Sequence, residues 1–391
     1  MLRVAFCDGT GGLFATAWLR DNAPEEHTFF YGERNRARTL LMDELDPTET
    51  PESATLAESG GSVRVVWPKS VEATFTAKWL LERNIASEAF RKRRMDYHDD
   101  HCTYWGDENV EILDKWADWD KLLTDDRYLR DKLKRFLAYG IMVIKGVPLE
   151  EKEILKLGRR VGFLAPSHYG SVDETCDAHQ FTYWPMRAFA NPANQAYTVR
   201  PLEMHTDIPQ NDPVPEITML HFIQQAQEGG VTHFCDGFRV AEQLRKEKPE
   251  SFELLSTTHM EFIDIGEDIY KFRMITRRRA IELDAKGAVE AVNCSGNRGW
   301  FYDLPPEKMH DMMVALKAFS QQCYKPHNLL SLRMNPGEMV WFANKRVLHG
   351  RSTFKGGPRF VVGAYMNFDV VKSRIRVIDE QLGEDTEHAT I

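Results

Sequence analysis

The triplet His205-Thr206-Asp207 and a distant histidine, His349, have the residue types of a metal site. Two imidazoles and one carboxylate are the ligand set of a non-haem Fe(II) facial triad, which leaves coordination positions open on the metal. Side chains two residues apart on a β-strand point to the same face, so we expect His205 and Asp207 on one strand and His349 on another. The open positions would suit an oxygenase, which must bind a 2-oxo acid and O₂.

The residues after His349 strengthen this interpretation, because a His-x-Asp triplet alone is common on surfaces and in cores. Residues 335–342 predict a turn followed by an apolar strand, and His349 follows that strand, just before Gly350 and Arg351. Arg359 comes ten residues after His349 and opens a largely apolar run. It could form an ion pair at the rim, or its planar guanidinium could bind the far carboxylate of 2-oxoglutarate in a bidentate way.

The composition limits the classes of protein to which the chain can belong. Its 391 residues suffice for a large core and two structural units, and its 42% hydrophobic and 28% charged residues are ordinary for a globular protein. The net charge of −9 argues against general nucleic-acid binding. Because no apolar run approaches the roughly 18 residues of a membrane span, and no targeting segment is evident, we expect a cytoplasmic enzyme with reduced thiols.

The order of elements predicts a mainly β protein with flanking helices (α+β), built on a double-stranded β-helix, or jelly roll. We expect a small N-terminal domain at residues 1–85, a linker at 86–108 and a catalytic domain at 109–391. Strands are predicted at residues 62–67, 140–147, 217–223, 232–235, 281–283, 330–334, 338–342 and 360–367. Helices are predicted at residues 75–84, 116–139, 238–246, 249–257 and 306–324.

Longer motifs run through most of the chain. They include Trp18-Leu19-Arg20-Asp21-Asn22, Gly229-Gly230, Asp236-Gly237-Phe238, Asp264-Ile265-Gly266, Met334-Asn335-Pro336-Gly337, Leu348-His349-Gly350-Arg351 and Ser373-Arg374-Ile375-Arg376-Val377. Together with the triplet, these motifs closely resemble those of the γ-butyrobetaine dioxygenases, which are TauD-like, 2-oxoglutarate-dependent oxygenases. The resemblance is strongest between residues 197 and 378.

The resemblance implies Fe(II) bound by His205, Asp207 and His349. It also implies 2-oxoglutarate as cosubstrate, bound by Arg359 with Thr232 as a hydroxyl partner, although Thr232 alone would be an ordinary strand residue. O₂ would be the other cosubstrate, ascorbate would stimulate the reaction, and the protein would be a homodimer.

The resemblance further implies an aromatic cage for a trimethylammonium group, which cannot donate hydrogen bonds and is instead attracted to ring faces. The predicted substrate-contacting residues are Trp184, Tyr197, Tyr365, Asn194 and Tyr169. Aromatic residues are more often core residues, but Tyr197 lies eight residues before His205 and Tyr365 six after Arg359, spacings that match the cage of the family. Phe181 or Tyr183 could replace Tyr169 as the fourth ring.

The chain departs from the family in three places. The family binds zinc through a cysteine cluster after the Leu-Arg-Asp-Asn motif and a later histidine, but residues 20–27 contain no cysteine and Val71 occupies the histidine position. We therefore expect no structural zinc. The segment between residues 170 and 184 is longer than in the family. A family asparagine near the substrate is Ser295 here, with Asn293 and Asn297 close in sequence.

The expected function is hydroxylation of a trimethylammonium carboxylate, with γ-butyrobetaine to L-carnitine as the preferred reaction. Trimethyllysine dioxygenase shares the triad, but residues 366–374 favour the butyrobetaine enzyme. A hydroxylase of another betaine or amine is a further alternative. A metal-free small-molecule binding protein is the alternative from another class, and the intact triad with Arg359 speaks against it.

Overall fold

The computed structural model describes residues 1–31, 36–57, 60–98, 102–106, 116–169, 182–188, 194–267, 271–296, 298–301 and 303–383. The chain divides into two compact units, Met1–Asp100 and His101–Ile391. The segment predicted as a linker, residues 86–108, spans this division and includes the helix Glu88–His98. Cys7, Cys102, Cys235, Cys294 and Cys323 are free thiols, and Cys176 lies outside the described residues.

The first unit consists of small antiparallel sheets and short helices. Its strands are β1 (Leu2–Ala5), β2 (Gly11–Phe14), β3 (Phe29–Tyr31), β4 (Arg36–Arg38), β5 (Ser53–Ala57), β6 (Ser62–Trp67) and β7 (Val71–Thr76). Its helices are α1 (Thr16–Asp21), α2 (Ala77–Leu81) and α3 (Glu88–His98). Strands β5, β6 and β7 form one sheet, and Trp67 and Phe75 from it are fully buried in the core of this unit.

The prediction of a helix over residues 75–84 is wrong at its start. Phe75 belongs to β7, where Ala73 and Phe75 point into the core and Thr74 between them does not. The helix begins after Thr76, because the Thr76 hydroxyl accepts a hydrogen bond of 3.1 Å from the Trp79 amide and so caps α2.

The second unit contains the longer elements. Its strands are β8 (Ala117–Asp118), β9 (Ile141–Lys145), β10 (Tyr183–Arg187), β11 (Leu202–His205), β12 (Ile217–Gln224), β13 (Glu228–Gly229), β14 (Thr232–Asp236), β15 (His259–Glu267), β16 (Lys271–Arg279), β17 (Ile281–Leu283), β18 (Val289–Val292), β19 (Arg298–Phe301), β20 (Leu330–Leu332), β21 (Glu338–Ala343), β22 (Val347–Arg351), β23 (Phe354–Lys355) and β24 (Phe360–Met366). Its helices are α4 (Trp119–Thr124), α5 (Asp126–Tyr139), α6 (Glu153–Val161), α7 (Gly237–Glu247), α8 (Pro249–Thr257), α9 (Met309–Cys323) and α10 (Phe368–Gln381).

Two sheets form the jelly-roll core of this unit, which confirms the predicted fold class. The larger sheet has the strand order β10-β24-β12-β21-β9-β8, and the smaller has the order β11-β22-β14-β20. Neighbouring strands are antiparallel in both sheets, except that β8 and β9 are parallel. Strands adjacent in each sheet are far apart in sequence, as expected of a double-stranded β-helix.

Side-chain alternation assigns each sheet an inner and an outer face. Phe222 and Val361 of the larger sheet meet Phe234 of the smaller sheet in the apolar layer between them. The outer face of the larger sheet packs against α4, α5, α6 and α10. The outer face of the smaller sheet, including Leu348, packs against α7, α8 and α9. Because both outer faces are covered, the inner faces are left to form the site.

Most predicted elements of this unit are confirmed within a few residues, with one interruption. The helix predicted over residues 116–139 is divided into α4 and α5, because Asp125 has an extended conformation and its carboxylate caps α5 at the Tyr128 amide. Strand β10, the hairpin of β15 and β16, and helix α10 were not predicted. Among the described helices, none is both long and apolar enough to cross a lipid bilayer.

Candidate active site and metal centre

Three side chains predicted as metal ligands come together on the inner face of the smaller sheet. His205, the last residue of β11, pairs with His349 of β22 in the antiparallel register, and their ring centroids are 4.1 Å apart. Asp207 Oδ1 lies 3.4 Å from His205 Nε2 and 3.6 Å from His349 Nε2. All three ligand atoms lie within 4.8 Å of one another, so one ion can contact them together.

The prediction that Asp207 lies on the same strand as His205 is wrong. Strand β11 ends at His205, and Asp207 belongs to the turn that follows. Its backbone is held by the side chain of Asn344 instead of a strand partner: Asn344 Oδ1 accepts from the Asp207 amide at 2.8 Å, and Nδ2 donates to the Asp207 carbonyl at 3.0 Å. Asn344 is fully buried, so a side chain replaces the missing strand hydrogen bonds at this point.

Neighbouring groups orient the ligand atoms. His205 Nδ1 donates to the Glu203 carbonyl at 2.8 Å, which leaves Nε2 for a metal, and the Thr218 hydroxyl donates to Asp207 Oδ2 at 3.1 Å, which leaves Oδ1. Burial opposes ionisation of Asp207, but His349, His205 and the Thr218 bond hold its pKa at about 2. Burial lowers the pKa of His349 to about 3, so that its imidazole is neutral at neutral pH. An ionised carboxylate and a neutral imidazole are the protonation states that a divalent metal such as Fe(II) requires, so the residues fit such an ion.

A cavity of about 430 Å³ opens in front of these ligands. Its wall includes every residue that the sequence analysis assigned to the site: His205, Asp207, His349, Arg359, Thr232, Trp184, Tyr197, Tyr365, Asn194 and Tyr169. Their convergence on one cavity is a property of the fold, because these residues come from both sheets and from four connecting segments. The volume is suitable for small molecules.

Arg359 lines one end of this cavity as a buried guanidinium, with its Cζ atom 5.3 and 5.8 Å from the ring centroids of Phe222 and Phe354. It is 7% exposed and has no ion pair or hydrogen bond in the described part of the chain, so the alternative of a rim ion pair finds no support there. Burial and then the charge of Arg351 lower its pKa to about 9, which leaves it protonated at neutral pH. A buried, uncompensated cation is costly, and an anionic ligand would relieve that cost.

Arg351 and Thr232 lie beside Arg359 and differ in how they are satisfied. Arg351 donates to the carbonyls of Ala196, Thr198 and Arg200 at 2.6–3.0 Å, so that it fixes the connection before β11. Thr232 is 3% exposed, and its hydroxyl has no hydrogen-bond partner in the described part of the chain. This hydroxyl is therefore free to donate to a ligand held by Arg359.

Aromatic rings form the other end of the cavity. The Trp184 and Tyr365 rings have centroids 4.3 Å apart, and both residues belong to a buried cluster with Tyr169 and Phe272. Trp184 lies against Gly363, its partner in the β10–β24 register, and a Cβ on Gly363 would overlap the indole ring. A glycine is thus required for the indole to reach the cavity wall. Burial and the charge of Asp207 raise the pKa of Tyr365 well above its usual value, so its hydroxyl stays protonated.

The register of β10 distinguishes Tyr169 from Tyr183 as the candidate for the fourth ring of the aromatic cage. Tyr183 packs in the cluster on the outer face of the larger sheet, whereas Tyr169 lines the cavity. Phe181 lies outside the described residues. The Tyr169 hydroxyl donates to Asp264 Oδ2 at 2.5 Å and accepts from Asn194 Nδ2 at 2.8 Å.

Of residues 293, 295 and 297, which the sequence placed at or beside a family position near the substrate, the structure describes two, and one of these lies in the cavity wall. Ser295 lines the cavity. Asn293 is buried outside the lining, where it donates to the Arg279 carbonyl and to Glu282 Oε1, both at 2.9 Å. Asn297 lies outside the described residues. Thr218, Asn344, Gln210 and Asp264 also serve the site but were not predicted individually from the sequence; the Asp264-Ile265-Gly266 motif was a signal for the last of these.

The fold and this site define a dioxygenase. Residues 103–365 match the family described as "Taurine catabolism dioxygenase TauD, TfdA family", and the chain belongs to it. It is 31% identical over 386 residues to the γ-butyrobetaine dioxygenase of Homo sapiens, which covers 98% of this chain and 95% of that protein. It is 25% identical over 375 residues to the mitochondrial trimethyllysine dioxygenase of Homo sapiens, covering 94% of this chain and 83% of the relative. Among solved structures, a taurine dioxygenase from Burkholderia xenovorans is 12% identical and covers 62% of this chain and 81% of its own, with a TM-score of 0.44.

Proposed function

We propose that this dioxygenase uses Fe(II) and 2-oxoglutarate to hydroxylate γ-butyrobetaine to L-carnitine. The observation that carries the proposal is that one cavity contains the ligand triad, a buried guanidinium with no ion pair in the described part of the chain, and a group of aromatic rings. The named relatives act as γ-butyrobetaine and trimethyllysine dioxygenases, and both substrates carry a trimethylammonium group. The cavity contains a recognition element for each component of such a reaction.

His205, Asp207 and His349 would hold the iron, which supplies O₂ activation coupled to decarboxylation of 2-oxoglutarate to succinate and CO₂. Arg359 would bind the far carboxylate of 2-oxoglutarate with two parallel N–H donors, and Thr232 would donate to the same carboxylate. This pairing would compensate the buried charge of Arg359, so cosubstrate binding and local stabilisation would occur together.

Trp184, Tyr197, Tyr365 and Tyr169 would surround the trimethylammonium group of the substrate. Such a cation cannot donate hydrogen bonds, and ring faces attract it by cation–π interactions. Holding the cation at the aromatic end would direct one carbon of the short chain towards the metal, and this positioning selects the C–H bond that reacts. The proposed contact of Asn194 with the substrate would use the amide hydrogen that does not bond Tyr169.

Product analysis by mass spectrometry, with γ-butyrobetaine and trimethyllysine tested side by side, examines this proposal. We expect a product heavier by one oxygen atom from γ-butyrobetaine, with one succinate per product and no turnover when iron or 2-oxoglutarate is left out. Faster turnover of trimethyllysine would reassign the protein to the second substrate. Iron-dependent succinate without hydroxylation of either compound would indicate another betaine or amine, and no succinate at all would favour a binding protein.

Further parts of the proposal come from the family resemblance. We infer a catalytic domain at residues 109–391 after a small N-terminal domain at 1–85 and a linker at 86–108. We also infer a cytoplasmic homodimer that ascorbate stimulates and that contains no structural zinc. Elemental analysis of protein purified without chelators tests the last point, and one retained zinc per chain would contradict it.

A further inference from the structure

A buried carboxylate, Asp264, lies at the aromatic end of the cavity and takes no part in the metal site. Strand β15 brings it into the cavity wall, where it is 6% exposed. Carboxylates buried in proteins are normally paired with a cation, because the loss of hydration is otherwise uncompensated. In the described part of the chain, no lysine or arginine nitrogen lies within 4.0 Å of Asp264.

The hydrogen bonds around Asp264 show that it acts as an acceptor. The Ala196 amide donates to Asn194 Oδ1 at 2.8 Å, which fixes the orientation of the Asn194 side chain and makes its Nδ2 the donor to the Tyr169 hydroxyl. The Tyr169 proton must then go to Asp264 Oδ2, 2.5 Å away, and Gln210 Nε2 donates to the same oxygen at 3.1 Å. Both hydrogen-bonding neighbours of Asp264 Oδ2 are therefore donors, and this oxygen acts only as an acceptor.

His168 is the basic side chain beside this carboxylate, but it does not complete the site. Its Nε2 lies 3.5 Å from Asp264 Oδ2, and neither ring nitrogen makes a hydrogen bond in the described part of the chain. Its ring packs instead on Tyr169 and Phe272, with centroid distances of 4.2 and 4.7 Å. The cavity side of Asp264 is therefore where a compensating positive charge has room to bind.

We propose that Asp264 determines specificity for a positively charged substrate by supplying the counter-charge behind the aromatic rings. This inference rests on the proposed function and deepens it. Tyr169 connects the two elements, since its ring belongs to the Trp184–Tyr365 cluster and its hydroxyl donates to Asp264. A phenol that donates to a carboxylate has a more electron-rich ring, and such a ring attracts a cation more strongly. Ring faces and a fixed negative charge would thus act on the same quaternary ammonium.

Substitution of Asp264 tests this role when two carboxylates of equal shape are compared, one with a cationic head group and one with a neutral head group. The variant Asp264→Asn keeps the size and an acceptor for Tyr169 but removes the charge. The ligands are γ-butyrobetaine and 5,5-dimethylhexanoate, in which carbon replaces nitrogen, and their Kd values are measured by calorimetry on the iron and 2-oxoglutarate complex without O₂. We expect γ-butyrobetaine to bind Asp264→Asn about 10-fold or more weakly than wild type, while 5,5-dimethylhexanoate, whose head group is neutral, binds equally well or better.

A role in merely supporting Tyr169 gives a different result. It would weaken both ligands by the same factor, and that outcome would overturn the proposal, as would unchanged binding of both. Tyr169→Phe is the matched control: it removes the hydrogen bond but leaves the charge, so it should lose less of the preference for the cation than Asp264→Asn does.

Two further comparisons separate a failure of the Asp264 role from misfolding and from a failure of the proposed function. If Asp264→Asn does not fold, the double variant Tyr169→Phe with Asp264→Leu replaces it. This variant removes the donor and the acceptor of the Tyr169–Asp264 hydrogen bond together, so neither of these two groups is left unpaired. The same loss of preference for the cationic head group is expected. Wild type that binds both ligands equally would overturn the proposed function, and this inference with it. A wild-type preference that the Asp264 variants retain would overturn the inference alone.

Discussion

The two ends of the cavity are incomplete in opposite ways. Among the residues that the structure describes, Arg359 at one end is a buried cation without a protein anion, and Thr232 has a hydroxyl without a hydrogen-bond partner. At the other end Tyr169 of the aromatic cluster donates to Asp264, a buried carboxylate without a lysine or arginine nitrogen within 4.0 Å in the described part of the chain. The cavity thus has a positive end and a negative end. A dianion such as 2-oxoglutarate and a zwitterion with a cationic head would be sorted to their own ends by charge alone, before any shape is considered.

Loss of a metal ligand should have the largest effect, because it affects the reaction at both ends. His349→Ala or Asp207→Ala should weaken Fe(II) binding by more than about 100-fold and abolish turnover, with the fold retained. Iron titration, circular dichroism and succinate production measure these three properties. His233→Ala is the control, since His233 lies on the neighbouring strand β14 but outside the cavity wall. Appreciable turnover by Asp207→Ala would argue against the triad.

Arg359→Met should act on the positive end alone. We expect the Kd of 2-oxoglutarate to rise about 100-fold, since a bidentate charge-assisted pair contributes a few kcal/mol, while γ-butyrobetaine binding changes little. Without ligands, urea unfolding should show no loss of stability, because an uncompensated buried charge has been removed. Arg351→Met is the contrasting variant: it breaks three hydrogen bonds to carbonyl groups and should lower the free energy of unfolding by about 3 kcal/mol. Unaffected 2-oxoglutarate binding in Arg359→Met would place the anchor elsewhere, with Arg351 the next candidate.

Trp184→Leu should act on the aromatic end alone. Removing the π face should weaken γ-butyrobetaine binding by about 1–2 kcal/mol, or roughly 5- to 30-fold, with 2-oxoglutarate binding unchanged. Tyr183→Leu is a matched control on the same strand, because Tyr183 points to the outer face and should affect stability only. If the wild-type protein binds 5,5-dimethylhexanoate as tightly as γ-butyrobetaine, these rings serve only as core packing.

His221 tests whether every buried polar group without a partner belongs to the site. Both of its ring nitrogens lack partners in the described part of the chain, yet it lies outside the cavity wall, and burial lowers its pKa to about 4. Since this folded-state pKa is below the unfolded value near 6.5, the unfolded chain binds the proton first, and stability is lost as the pH falls from about 6.5 to about 4.

We therefore expect His221→Met to reduce the acid-induced loss of stability by about 1–3 kcal/mol at pH 4, with turnover at neutral pH unchanged. Urea unfolding at pH 7 and pH 4 measures the difference between the two proteins. A clear loss of turnover in His221→Met would show that the group does serve the site.

The sequence could predict those site residues that residue type and neighbouring motifs mark. His349 and Arg359 adjoin clearly apolar strand patterns and were predicted as site residues. The inference from strand alternation, that His205 and Asp207 share a strand, was wrong because β11 ends at His205. Strand β10 was not predicted, because Pro185 lies in the middle of it. A proline fits there since β10 is at the edge of the larger sheet, and that position depends on the whole fold.

Other site residues depend on contacts between distant segments. Asn344 holds Asp207 across 137 positions of sequence, and Asp264 meets Tyr169 across 95. No local pattern specifies which amide will replace a strand partner at the end of β11, or which carboxylate will lie behind a given ring. Such pairings are set when the sheets pack, so they are visible only in three dimensions.

Strand β24 fixes the distance between the two ends of the cavity. Arg359 immediately precedes β24, and Tyr365 lies near the end of that strand. Both line the same cavity, and six residues of extended backbone correspond to about 20 Å. Removing one residue between them would turn one of the two side chains to the opposite face, so this length can change only in steps of two residues. An enzyme built on this strand cannot adapt gradually to a longer or shorter substrate along it. Adaptation in chain length must therefore occur in the other walls of the cavity, where no such parity applies.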